Sequence, residues 1–315
     1  MATASRNCDP HLTHQSSSPM KTDQLKLLCF GEILWDFLPV GLFPGGAPFN
    51  VAYHLHNHRA EVNLITAVGN DKLGDELIRR IKGWGLNTDT IGRHPGLPTG
   101  YVLADIAPNG DATYEFMPSV AWDQITTDQD SLQAAMDGTG IIFGSLAQRA
   151  SFNQFALDRL LATMPENAWR IFDVNLRAPH DDLDRVRILA SQSTLLKLNA
   201  AEAAHIACDQ TEEAGREESD SRALAKQTGC TTICITSGER GAGLLRNDIW
   251  HWEDAQKVQV IDTIGAGDAF LASLIANLIP GHHTDAECLA VACRLGEWVS
   301  SQYGATPTYP PPASS

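Results

Sequence analysis

Positive charge is in short supply. Lysine and arginine total 23 against 38 aspartates and glutamates, which leaves a net charge of −15 over 315 residues. That balance argues against a nucleic-acid binder held by phosphate contacts, because the summed field repels a polyanion. It leaves room for a small phosphorylated ligand, since backbone dipoles act locally. Long apolar runs are also missing. The richest, AFLASLIANLI, contains Asn277 and falls short of the ~18–20 residues of a membrane span. The first 20 residues lack the apolar core of a secretory signal and are polar enough to be expected disordered, with Met20 as an alternative start to Met1. Cysteine is sparse and scattered: Cys8, Cys29, Cys208, Cys230, Cys234, Cys288 and Cys293. An odd number in a long chain fits a reduced cytoplasmic setting better than a disulfide framework. Cys230 and Cys234 lack the further ligands that a structural zinc requires. No internal repeat is visible.

What remains is an alternation. LKLLCFGEI reads as a buried strand, LWDFLPV and GLFPGGAP as a strand-like run and a turn, and FNVAYHLHNH as a helix. AEVNLITAVG then reads as a strand and DKLGDELIRRIKGWG as an amphipathic helix. The same alternation resumes at GIIFGS and continues through WRIFDVNLR, TLLKLN, TTICITSG and KVQVIDT, each read as a strand. It predicts βαβ units, hence an α/β fold with a mostly parallel sheet. The stretch from Thr99 to Met117 departs from the pattern. Two strand-like runs flank Asn109-Gly110, a strong hairpin signal, and suggest a small β appendage. Tyr101, Tyr114 and Phe116 fall in the appendage; with Trp35 and Phe37 from LWDFLPV they are expected to form its core or a dimer contact, or one of them to touch a ligand. QTEEAGREESD reads as a solvated charge run. His54 and His58 share a helix face, but no third ligand accompanies them, so they read as surface or packing histidines.

The chemistry concentrates at DTIGAGDAFLAS, where Asp268 follows Gly265, Ala266 and Gly267 at a helix start. A dinucleotide fingerprint fits poorly, because Phe270 stands where its third glycine belongs. GNDKLGDE, from Gly69, lacks the Lys-Ser/Thr of a P-loop. Asp268 can cap the helix. Alternatively, N–H groups at a helix start cradle an anion while the carboxylate takes a proton from an alcohol, as alcohol phosphorylation requires.

DTIGAGDAFLAS resembles the C-terminal signature of the ribokinase-like (PfkB) carbohydrate kinases, and GGAPFNVA, Gly45 to Ala52, resembles their N-terminal one. The resemblance spans about Lys26 to Pro311. It implies a three-layer α/β/α fold with a small β lid. The domain would run over 25–311, with lid segments at 32–45 and 98–118 and tails at 1–24 and 312–315. The resemblance implies that Asp268 is the catalytic base, that Gly265, Ala266 and Gly267 form its anion hole, and that Asp36, Gly45, Gly46 and Asn50 hold the sugar. KLNAAE matches the family's N-x-x-E, so Asn199 and Glu202 would order Mg2+ through water. Arg177 in DVNLR resembles a phosphate-side arginine, with Asp173 and Asn175 in support. TSGERGAG implies nucleotide contacts at Thr236, Gly238 and Gly241, and YGATP implies Gly304 and Ala305 near adenine. ATP and Mg2+ would be bound, with room for K+ near Asp262. Relatives pair through their lids, which implies a homodimer. Among subfamilies the motifs resemble bacterial fructokinases, so fructose is the first expected substrate. Ribose, 2-keto-3-deoxygluconate and adenosine are alternatives, and a non-catalytic sugar sensor is a further one. Arg59 stands where the first signature has a small residue, at an expected left-handed helix end.

Overall fold

The computed structural model describes residues 24–38, 41–106 and 112–310. The expected N-terminal disorder, the choice between Met1 and Met20, the Asn109-Gly110 turn and the tail at 312–315 lie outside these residues.

The first half runs β1 (Lys26–Phe30), β2 (Leu34–Leu38), β3 (Gly41–Gly45), α1 (Ala47–Asn57), β4 (Glu61–Gly69), α2 (Lys72–Gly83), β5 (Ile91–His94), β6 (Gly100–Ile106), β7 (Ala112–Phe116), α3 (Gln129–Asp137), β8 (Gly140–Gly144) and α4 (Ser151–Thr163). The second runs β9 (Trp169–Asp173), α5 (Leu183–Ser191), β10 (Leu195–Asn199), α6 (Ala200–Cys208), α7 (Glu217–Thr228), β11 (Thr232–Thr236), β12 (Gly241–Arg246), β13 (Ile249–Asp254), α8 (Ala266–Leu278) and α9 (Asp285–Ser300).

Nine strands form one sheet in the order β13-β12-β11-β10-β9-β8-β1-β4-β5, and four form a second, β3-β2-β6-β7. The large sheet is parallel from β5 to β11, and the β12–β13 hairpin closes it antiparallel. Parallel strands covered on both faces must be apolar throughout, and Leu27 to Phe30 of β1 are all buried. One face packs Phe49, Leu55, Leu271 and Leu289, from α1, α8 and α9. The other packs Leu157, Leu189, Ala203 and Leu224, from α4 to α7. The α/β expectation thus holds, with a smaller separate sheet beside a mostly parallel one.

The chain leaves β1 toward β4 and β5, then returns to β8 on the other side of β1. Such a reversal opens a crevice at the carboxyl ends of the strands. Asn247 and Asp248 turn the β12–β13 hairpin with φ 50° and 67°, the paired positive φ of a twist-matched hairpin turn. Arg59 follows α1 at φ 65°; the left-handed helix end forms without the glycine.

Four readings change. GLFPG is a strand rather than a turn, because β2 supplies an antiparallel partner from Leu34–Gly45 to Leu38–Gly41. KVQVIDT is irregular, with Val258, Val260 and Ile261 exposed; β13 is the edge of the large sheet, and among the described residues no strand lies beyond it to pair this alternating run. The charge run is not wholly solvated. Glu217 and Asp220 are buried on α7, where Arg240 and Arg216 pair with them at 3.0 and 2.9 Å. Trp35 belongs to the main core rather than the small sheet's own core: it is fully buried and donates from Nε1 to the Leu73 carbonyl at 3.1 Å. Phe37 and Tyr101 do pack together in the small sheet, their ring centroids 5.1 Å apart.

Candidate active site

The carboxyl ends of β9 and β10 meet the start of α8, with Lys197 against both Asp173 and Gly267, and Asn50 of α1 reaches Asp268 there. Gly265 caps α8 in the left-handed region, at φ 76°. A Cβ there would lie 2.6 Å from the Ala305 Cα, so the close approach of residues 304–305 demands glycine. The first N–H groups of a helix have no carbonyl of their own. Ala266 turns its N–H toward the Thr263 carbonyl at 3.3 Å. The N–H groups of Gly267 and Asp268 find no acceptor among the described residues. Two donors at a helix start are thereby left free to meet an anion.

Asp268 stands at its edge. Its Oδ2 accepts from the Asn50 side-chain amide at 2.8 Å, a contact made possible because α1 and α8 pack against each other. Burial pushes the Asp268 carboxyl up to about 6. Asp173 adds to that rise, while Lys197, the Asn50 hydrogen bond and Arg177 oppose it. Asn50 keeps its Oδ1 buried without a partner, an acceptor left for a ligand hydroxyl.

The residues expected to hold the sugar come together around these two. A Cβ on Gly45 would overlap the Asp36 carboxylate, and one on Gly46 (φ 108°) would lie 3.0 Å from the Glu32 carbonyl carbon. Burial raises Asp36 to about 7, with Asp268 and Asp262 adding repulsion and Arg177 relieving it. Arg177 is exposed and donates to its neighbour's carbonyl, that of Leu176, at 2.9 Å. No carboxylate pairs with it among the described residues. Its charge instead lowers Glu32, Asp36 and Asp268 alike.

Asn199 and Glu202 form a reciprocal helix cap. The Asn199 Oδ1 accepts from the Glu202 N–H at 2.8 Å, and Glu202 Oε2 accepts from the Asn199 N–H at 2.9 Å. Glu202 Oε1 accepts from the Leu176 N–H at 2.7 Å, which fixes the loop carrying Arg177. Among the described residues no group of three or more acidic, histidine or cysteine side chains is arranged to hold a metal. Each carboxylate oxygen retains a second lone pair. The set would suit Mg2+ held largely by phosphate and water, to which Asn199 and Glu202 would add contacts through water.

Thr236 lies beside Asn199 in the β10–β11 register. Gly238 and Gly241 follow at φ 57° and 128°, and the Ser237 N–H closes the turn onto the Gly241 carbonyl at 2.8 Å. Gly304 donates to Asp262 Oδ2 at 3.1 Å, and Ala305 O bonds His54 Nε2 at 2.9 Å. His54 is thus a packing histidine: burial drives it down to about 4. Asp262 Oδ1 accepts from the Ile264 N–H at 2.9 Å, so both of its oxygens serve the turn before α8.

Two residues were not anticipated. Glu32 is buried, accepts from the Ala47 N–H at 3.3 Å, and is raised to about 7 by burial. Lys197 is buried and donates to Asp173 Oδ1 at 3.0 Å. Its signal was a lone charge inside the apolar strand LLKLN.

The sequence matches the family model described as pfkB family carbohydrate kinase over residues 24–312. A fructokinase from Klebsiella pneumoniae is 27% identical over 305 residues, covering 90% of this chain and 96% of the relative. Among the solved structures that share the fold are two kinases. One is a sugar kinase from Pyrococcus horikoshii in complex with ATP, with a TM-score of 0.77 and 22% identity over 89% of this chain and 94% of that one. The other is a double mutant of a fructokinase from Vibrio cholerae O395 with fructose, ADP and potassium ion bound. It has a TM-score of 0.77 and 21% identity over 90% of this chain and 94% of that one.

Proposed function

The chain belongs to the pfkB family of carbohydrate kinases, and from that premise we propose that it transfers the γ-phosphate of ATP to a hydroxyl of D-fructose, giving fructose 6-phosphate. The observation that carries the reading is Asp268: a buried carboxylate, raised to about 6, beside two unpaired N–H donors at the start of α8. A general base works best with a pKa near the working pH.

Asp36 accepts from sugar hydroxyls, Asn50 orients Asp268 and keeps its free Oδ1 for the sugar, and Gly45 and Gly46 let the polyol lie against backbone. The sugar oxygen attacks the γ-phosphorus as its proton passes to an Asp268 oxygen. The bond from that phosphorus to the β,γ-bridging oxygen breaks, ADP leaves, and Asp268 returns the proton to solvent. The Gly267 and Asp268 N–H groups, with Ala266 and Gly265 shaping the turn, hold the charge on the transferring group, and Arg177 adds a cation on the same side. Mg2+, when bound, neutralises phosphate charge, with Asn199 and Glu202 ordering its water. Thr236, Gly238, Gly241, Gly304 and Ala305 shape the nucleotide side. A K+ near Asp262 would rigidify the turn. The small sheet acts as a lid over the sugar and as the contact of a homodimer, and the enzyme works in the cytoplasm.

Fructose is supported by the fructokinase relative at low identity and by the motifs. The test is ADP release with Mg-ATP against fructose, ribose, glucose, tagatose, 2-keto-3-deoxygluconate and adenosine. A kcat/KM maximum on fructose is expected. A maximum on another acceptor removes fructose and keeps the mechanism. Silence across the panel with sugar still binding removes catalysis.

A further inference from the structure

A lysine and an aspartate face each other inside the large sheet. Lys197 of β10 and Asp173 of β9 are direct register partners. Their side chains are 8% and 4% exposed, and Nζ donates to Oδ1 at 3.0 Å. Burying such a pair is seldom worthwhile for stability, because desolvation offsets the attraction. Its location suggests another use. The Lys197 ammonium lies 3.1 Å from where a Cβ on Gly267 would project, so it abuts the anion turn from the sheet side. An ammonium has three N–H donors; Asp173 takes one, and no other side-chain or backbone acceptor engages Lys197 Nζ among the described residues. Asp173 Oδ2 is buried with no partner. The pair is therefore only half satisfied, and its open side is toward the turn.

We propose that Lys197 and Asp173 act together as a positioning unit for phosphoryl transfer: Asp173 holds the Lys197 ammonium behind Gly267, where it backs the turn that receives the transferring phosphoryl group and that carries Asp268. This rests on Asp268 being the base. The charges facing Asp268 are Lys197 and Asp173 from the sheet, Glu32 from the segment after β1, Asp36 from β2, and Arg177 from the loop after β9. Of these, Asp173 raises the Asp268 carboxyl while Lys197 and Arg177 lower it. The two members of the pair thus act on Asp268 with opposite sign. A purely structural ion pair predicts no such opposition, since losing either member would loosen the same contact.

The experiment measures kcat and sugar KM against pH for wild type, Lys197→Met, Lys197→Arg, Asp173→Asn, the double variant Asp173→Asn/Lys197→Met, and Asp268→Asn. Melting temperature and sugar binding by calorimetry establish folding. Lys197→Met is expected to lose about 10- to 100-fold in kcat, a fraction of the usual electrostatic contribution, with sugar KM little changed. Its acid limb should move to higher pH, that of Asp173→Asn to lower pH, and that of the double variant should lie between; Lys197→Arg should recover part of kcat. Limbs that coincide with wild type, or move in the same direction, overturn the proposal. If Lys197→Met does not fold, the limbs of Asp173→Asn and the double variant decide in the same way. Asp268→Asn separates the two claims: if it retains turnover, the base assignment fails; if it is inactive and the limbs of the other variants stay put, only the positioning unit fails.

Discussion

Two groups of buried acids flank the turn at Gly265–Gly267, and they are treated differently. On the side of Asn50, Glu32, Asp36 and Asp268 have no cation in contact among the described residues, and burial raises them to about 7, 7 and 6. On the sheet side, Asp173 is paired with Lys197, and Glu202 accepts two backbone N–H groups. A structural acid is normally satisfied by the fold, because an unpaired buried charge is costly. Acids left unpaired in a crevice mark where a ligand is meant to complete the set. Asp173 stands between the two groups, since one oxygen is paired with Lys197 while the other is buried without a partner.

The comparison breaks most visibly at Asp268. Asp268→Asn should lower kcat by about 1,000-fold or more, at the upper end of general-base contributions, while sugar binding by calorimetry stays within a few-fold. Near-normal kcat would remove Asp268 as the base. The same group sets the next effect. The reactive form is the carboxylate, so kcat/KM should fall as pH drops below about 6, close to tenfold per pH unit once protonation dominates. A profile flat down to pH 5 would contradict a raised Asp268.

Asp36 tests whether the unpaired acids weaken the fold. Its folded value, about 7, lies above the ordinary 3.8, so the folded state favours the neutral form. The associated stability is fully present below the unfolded pKa and is lost as pH rises through about 7. Asp36→Asn should therefore raise the melting temperature at pH 8 but not at pH 3.5, while raising sugar KM about 10- to 100-fold, as expected when a buried polar contact is lost. A stabilisation equal at both pH values would show that ionisation is not the cause. Glu202→Gln should do the reverse, lowering stability by about 1–2 kcal/mol in denaturant titration as one backbone N–H loses its charged acceptor. The smallest effect lies outside both groups. Arg59→Gly should gain about 0.5 kcal/mol, because the φ of 65° suits glycine better than a side chain.

Much of the site could be read along the chain because its pieces are local. The turn before Asp268, the Gly45-Gly46 pair and the Asn199–Glu202 cap each lie within a few residues, and their spacing carries their geometry. Val258 to Ile261 misled for the same local reason. Their alternation fits a strand, but pairing needs a neighbour, and the sheet ends at β13. Glu217 and Asp220 looked solvated because the run shows neither its packing against β11 and β12 nor the distant Arg240 that pairs with Glu217.

The sequence by itself determined the βα alternation, the two glycine turns and the placing of a carboxylate at a helix start. These follow from periodicity and backbone sterics, which act over a few residues. Tertiary structure alone decided that Asn50 meets Asp268 across 218 positions, that Lys197 faces Asp173 and backs Gly267, and that residues 304–305 press on Gly265. Those contacts form where separate strands end side by side, and burial at that crevice sets the protonation of each acid. Neither distance nor dielectric is written in the order of residues.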